Sequence, residues 1–92
     1  MTDEMKLHRQ RAAGLKAQTL WDSPTVKEIF AEMEEDVRKG WAESKAEEKD
    51  RREEIYWYMR AVEEVKRKFQ LRISTGKLAA KQLEELEEAK EQ

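Results

Sequence analysis

The clearest pattern begins after Trp21. Asp22-Ser23-Pro24 is a helix-start signal: Ser23 offers a side-chain acceptor to exposed backbone N–H groups, and Pro24 suits the first helical position, where its missing N–H has no partner to lose. Apolar residues then fall at Val26, Ile29, Phe30, Met33, Val37 and Trp41. That spacing follows a 3.6-residue period and predicts an amphipathic helix, with Glu28, Glu32, Glu35, Arg38 and Lys39 mostly off the apolar stripe. Gly40, beside Trp41, either lets a partner helix come close or begins to loosen this helix. Residues 42–49 carry charge without apolar anchors and read as a short connection, either irregular or partly helical.

Asp50 followed by Glu53 is a second capping signature, with Asp50 at the cap. The next helix is expected from Arg51 to Thr75, with the stripe Ile55, Tyr58, Met59, Val62, Val65, Phe69 and Ile73. Gly76 is expected to end it in a left-handed conformation. Residues 77–92 then form a separate acidic helical tail with Leu78, Leu83 and Leu86 as its few apolar anchors. Residues 1–21 form a weaker N-terminal helix, interrupted by Gly14.

The expected fold is therefore all-α, one small domain. Two long helices joined by a short link form an antiparallel hairpin over residues 24–75, flanked by the N-terminal helix and the tail. In the hairpin Val26 to Trp41 zips against Ile55, Met59, Val62, Phe69 and Ile73. A lone two-helix layer is thin, so the terminal segments, a second copy or a partner are needed to complete a core.

Composition refines this picture. Of 92 residues, 43% are charged and 38% hydrophobic, a balance shared by disordered chains and by long solvent-washed helices. Three Trp, two Tyr and two Phe, several at helical spacing, favour the helices. A net charge of −2 excludes a globally basic nucleic-acid binder, though not a local basic patch. Without cysteine there is no disulfide framework, thiol nucleophile or Cys-based zinc site. No apolar run approaches the ~20 residues of a membrane span, and the polar start Met1-Thr2-Asp3-Glu4 is not expected to be a signal peptide.

Catalysis has little to stand on. His8 is the only histidine, in the weak first helix. The carboxylates come as doublets on solvent faces, such as Glu34-Glu35 and Glu84-Glu85, whereas acid–base work needs a carboxyl shifted by burial or a close partner in a cleft. No Gly-rich phosphate loop and no Glu-x-x-His metal pairs occur. The expectation is a non-enzyme without cofactor or metal.

Two surfaces remain. With Ile55 centred on the buried stripe, Trp57 and Leu71 point roughly the opposite way, with Tyr56 on a flank. Three readings of Trp57 compete: it covers the N-terminal helix or a flank of the core, it anchors an interface, or it forms an aromatic ligand site. Trp and Tyr are enriched at interface hot spots, and Trp57, Leu71, Tyr56 and Trp21 are the candidate protein-interface residues. Lys66-Arg67-Lys68 with Arg72 is the one basic cluster, and Arg51-Arg52 is a smaller one. Residues 44–76 hold nine basic against seven acidic side chains, and Glu63 and Glu64 lie within helical pairing distance, so a solvated face is the ordinary reading. Arg67, Lys68 and Arg72 are the candidate nucleic-acid contacts. The acidic end, Glu84 to Glu91, reads as a solubilising helix end or an attraction for a basic partner.

A family resemblance spans about residues 11–80. It rests on Arg11-Ala12-Ala13-Gly14-Leu15-Lys16-Ala17, Asp22-Ser23-Pro24, Gly40-Trp41-Ala42, Asp50-Arg51-Arg52-Glu53-Glu54, Met59-Arg60-Ala61-Val62 and Ser74-Thr75-Gly76-Lys77-Leu78. In this order the chain resembles a class of small helical proteins encoded by tailed bacteriophages and prophages among their head and portal assembly genes. The acidic tail is longer than that pattern. The resemblance implies a helical protein with no assigned enzymatic role and carries over no functional residues. It places the protein in the cytoplasm of the bacterial host or in the virion, bound to itself or to another phage or host protein. The alternatives are a nucleic-acid-associated packaging or regulatory factor and an inhibitor of a host protein.

Overall fold

The computed structural model describes residues 2–91, and these are all-helical apart from two short links. Helix α1 spans Asp3–Trp21, α2 Pro24–Glu43 and α3 Lys49–Glu91. Thr2 caps α1, its hydroxyl accepting from the Met5 N–H at 3.2 Å, and Asp3 and Glu4 complement the positive end of the helix dipole. Ser23 caps α2 through the Val26 N–H, and Pro24 occupies its first turn, as the sequence predicts. Among the described residues no helix is long and apolar enough to cross a membrane.

The start of α3 differs from expectation. The Glu48 carbonyl accepts from the Arg52 N–H at 3.0 Å, so the helix begins at Lys49 and Asp50 lies inside its first turn. There its carboxylate still meets the positive end of the helix. The cap signature was displaced because the turn before it closes on itself. Glu48 accepts from the Lys45 N–H at 2.8 Å, and the Glu48 N–H donates to the Lys45 carbonyl at 3.0 Å.

Gly76 does not end a helix. It lies within α3, which runs unbroken through it, and no described glycine has a positive φ. The acidic tail is therefore the last part of α3, not a separate element. Gly76 faces Gly14 of α1: a Cβ added at either glycine would stand 2.7 Å from the other's Cα. Both glycines let two backbones touch, and neither interrupts its helix.

The contacts gather into two compact units, one formed by Ser23–Arg67 and the other by the chain up to Asp22 with the chain from Lys68 onward. Within the Ser23–Arg67 unit, Ile55 lies under Gly40, its Cδ1 3.2 Å from where a Cβ would be, and Lys66 bonds to Glu34 at 2.7 Å. Residue numbers fall along α2 as they rise along α3, so these stretches run antiparallel. Phe69 and Ile73, expected to pack on α2, belong instead to the unit with α1, where Phe69 meets Trp21 with ring centroids 5.5 Å apart.

The positions sheltered from solvent follow one rule on all three helices. On α3 they include Ile55, Met59, Val62, Lys66, Phe69, Ile73, Gly76, Ala80 and Leu83, alternating four and three apart. Val26, Phe30, Met33, Val37, Gly40 and Ser44 repeat the spacing along and just beyond α2, as do Leu7, Gln10, Gly14, Ala17 and Trp21 on α1. An average of 3.5 is the heptad seam of paired helices, narrower than the 3.6-period stripe of a globular helix. Ile29, Trp41, Tyr58 and Val65, assigned to the core by the wider stripe, are accordingly exposed.

Candidate interaction surfaces

In the Ser23–Arg67 unit, Trp57 is 61% exposed and Tyr56 47%. Their rings meet edge to face, centroids 5.2 Å apart at 71°, the arrangement favoured by the aromatic quadrupole. Helical geometry explains the exposure. Ile55 and Met59 belong to the seam, so a side chain two residues from each projects away from α2. One turn on, Arg60 and Glu63 pair at 3.1 Å. The surface is thus an exposed aromatic couple beside a neutralised ion pair.

The other two interface candidates lie in the unit with α1. Leu71 is 50% exposed. Trp21 is half-buried and packs on Phe69, so it supports the α1–α3 packing of its own unit.

The basic cluster is divided by the helix it sits on. Lys66 falls on the seam and reaches across to Glu34. Arg67 forks onto both carboxylate oxygens of Glu64, at 3.0 and 2.8 Å, and this hydrogen bonding raises its pKa further above its ordinary value. Lys68 and Arg72 are exposed. A phosphate approaching Arg67 must displace a bidentate carboxylate that already satisfies its fork.

A third cluster, at the turn between α2 and α3, was not foreseen from sequence. Arg52 donates from Nε to the Ser44 hydroxyl at 2.9 Å and from a terminal nitrogen to the Ser44 carbonyl at 3.1 Å. Its guanidinium lies 4.4 Å from the centre of the Trp41 ring. Ser44, buried, donates its own hydroxyl to the Trp41 carbonyl at 2.7 Å. One arginine thereby satisfies groups at the C-terminal end of α2 and covers an exposed indole. The available signal was the spacing: Ser44 and Arg52 both continue their helices' heptad seams across the turn.

His8 is exposed on α1. Among the described residues no group of three His, Asp or Glu side chains converges as a metal site would require. Comparison with protein-family models, curated proteins and solved structures finds no match for this chain.

Proposed function

We propose that this protein is a non-enzymatic helical-hairpin protein that works through contacts with other proteins, with the Tyr56–Trp57 face as the anchor. The observation that carries the reading is a large aromatic couple held in a defined geometry on a helix side that the hairpin seam does not use. Tryptophan and tyrosine dominate interface hot spots because they offer broad, rigid, amphipathic area at small entropic cost. The occupant that fits is a folded protein with an apolar pocket for the indole. The setting we propose is virion assembly of a tailed phage in its bacterial host, which rests on the sequence resemblance.

The test is Trp57→Ala. The wild-type chain is used to capture proteins from a lysate of infected cells, the retained protein is purified, and its Kd is measured against both forms. Loss of a hot-spot tryptophan weakens binding by about thirtyfold, or ~2 kcal/mol. An exposed residue outside the packing changes stability by less than ~0.5 kcal/mol. An unchanged Kd removes this face from the interface, and a matching loss of stability makes Trp57 a packing residue.

A further inference from the structure

Beyond Phe69, α3 carries a second row of side chains outside its seam. Leu71, Thr75, Leu78, Gln82 and Leu86 stand four, three, four and four residues apart. At 3.6 residues per turn they keep within about 40° of one line along the helix. The leucines are 50%, 56% and 40% exposed. Between Leu71 and Leu86 no charged side chain falls on this line, in a chain that is 43% charged.

The row is complementary to itself. Take a second copy whose α3 runs antiparallel, centred on Leu78. Leu71 then comes level with that copy's Leu86, Thr75 with its Gln82 and Leu78 with its Leu78, each to within about one residue, or ~1.5 Å. A parallel copy aligns the leucines equally well, and the charges decide between the two. Residues 66–73 hold four basic side chains and no carboxylate. Residues 84–91 hold five glutamates and one lysine, Lys90, which pairs with Glu4 of α1. Parallel pairing sets like charge on like. Antiparallel pairing lays each acidic end over the other copy's basic stretch. Arg67, Glu85 and Glu88 all flank the row on one side, and in this register Arg67 comes level with the second copy's Glu88. The Arg67–Glu64 pair joins side chains 57% and 52% exposed, so sharing the guanidinium costs little.

We propose that the Leu71–Leu78–Leu86 row is the interface of an antiparallel two-fold dimer of this chain. The row meets the same row, so the contact is isologous and closes without free ends. Six leucines leaving water supply affinity, while the charges fix direction and make the dimer salt-sensitive. The second copy's residue 91 reaches only as far as Lys66. Trp57 therefore stays outside the overlap, and Trp57→Ala leaves the dimer intact.

The experiment is sedimentation equilibrium of the full chain at low and high salt, with circular dichroism confirming the helical fold of each variant. Expected are a dimer whose Kd rises at least tenfold in high salt, and a monomer for Leu78→Asp, which sets two carboxylates against each other at the two-fold axis. The double variants E85K/E88K and R67E/K68E each fail to self-associate, but their mixture forms a heterodimer, because both acidic–basic contacts are restored with reversed sign in one of them. Direction is read by cysteines placed in this cysteine-free chain. Under a mild oxidant Thr75→Cys mixed with Gln82→Cys gives a disulfide-linked pair containing one of each, and neither variant links to itself. A wild-type chain that stays monomeric at every concentration overturns the proposal. So does a dimer indifferent to Leu78→Asp, or Thr75→Cys chains linking to one another, the mark of parallel pairing. The charge-reversed mixture decides the matter even where Leu78→Asp fails to fold, since a mixture that does not recover overturns it too.

Discussion

Alanine at Gly14 or Gly76 brings two opposed effects into one measurement. Alanine is favoured over glycine in a helix interior by about 1 kcal/mol, so with open space beside it the substitution stabilises. Here the new Cβ at position 14 would lie 2.7 Å from the Gly76 Cα and 2.9 Å from the Arg72 carbonyl oxygen. At position 76 it would lie 2.7 Å from the Gly14 Cα and 3.1 Å from the Gln10 oxygen. Carbon atoms rest at about 3.5–4.0 Å, so the helices must separate by roughly 1 Å. The obstacle is backbone, which cannot rotate away as a side chain does. Ala17, Ile73, Ala79 and Leu83, all buried in this unit, then lose contact across the gap. Overpacking of this kind costs about 1–3 kcal/mol, and the loss of neighbouring contacts raises it further. Each substitution is expected to destabilise by about 1–2 kcal/mol net, measured by urea denaturation followed by far-UV circular dichroism. In a thermal scan each kcal/mol corresponds to about 4–8 °C. Gly40→Ala is the internal control. Its Cβ would meet only the Ile55 side chain, Cδ1 at 3.2 Å and Cγ1 at 3.5 Å, and that side chain can turn at a cost of about 0.5–1.5 kcal/mol. The helix-propensity gain offsets this, and the net change stays near zero. If Gly14→Ala and Gly76→Ala each stabilise by the full propensity gain, the helices do not approach as described and the reasoning fails.

Three further outcomes follow from named contacts. Arg52→Ala removes the bonds to Ser44 and the cover over Trp41 and costs about 1–2 kcal/mol in urea denaturation. Arg52→Lys keeps the charge but not the fork, so it recovers little, and a lysine variant equal to wild type refutes the role of the fork. Ile73→Ala opens the α1–α3 seam and costs about 2–4 kcal/mol, whereas Ile29→Ala, outside the seam, costs under about 1 kcal/mol; equal losses would contradict the heptad assignment. The hydrogen bond from Arg38 holds the Glu35 carboxyl below the usual carboxylate range. A folded-state pKa depressed in this way adds stability above the unfolded value and loses it as pH falls through the folded value. NMR titration should give Glu35 an acid-shifted midpoint that Arg38→Gln returns to normal, with little change in overall stability because the pair faces solvent.

Much of the architecture was legible in local chemistry. Ser23 and Pro24 start α2 wherever the chain goes next, because capping and a fixed φ act within one turn. The apolar spacing likewise announced helices on both sides of a short link. That Trp57 points away from Ile55 followed from their spacing alone, since side chains two positions apart on a helix cannot share a narrow seam, but whether another helix covers it was decided only by the structure, which leaves it exposed. What local chemistry left open is the meaning of Gly76. A glycine after Ile73 both ends helices and admits close neighbours, and only the presence of Gly14 opposite it decides between the two. The heptad through Phe69, Ile73, Gly76, Ala80 and Leu83 was written in the chain, but it shows only when glycine and alanine are counted as buried positions. Ile29, Trp41, Tyr58 and Val65 were misplaced for a related reason: a helix offers several apolar columns, and the partner's width determines how many are covered. The role of Arg52 depended on where the turn brought Ser44 and Trp41. Helices, caps and periods are short-range properties and belong to the sequence. The fate of a glycine, the edge of a seam and the partner of a long cation depend on what arrives from elsewhere in the chain, and only the tertiary structure supplies it.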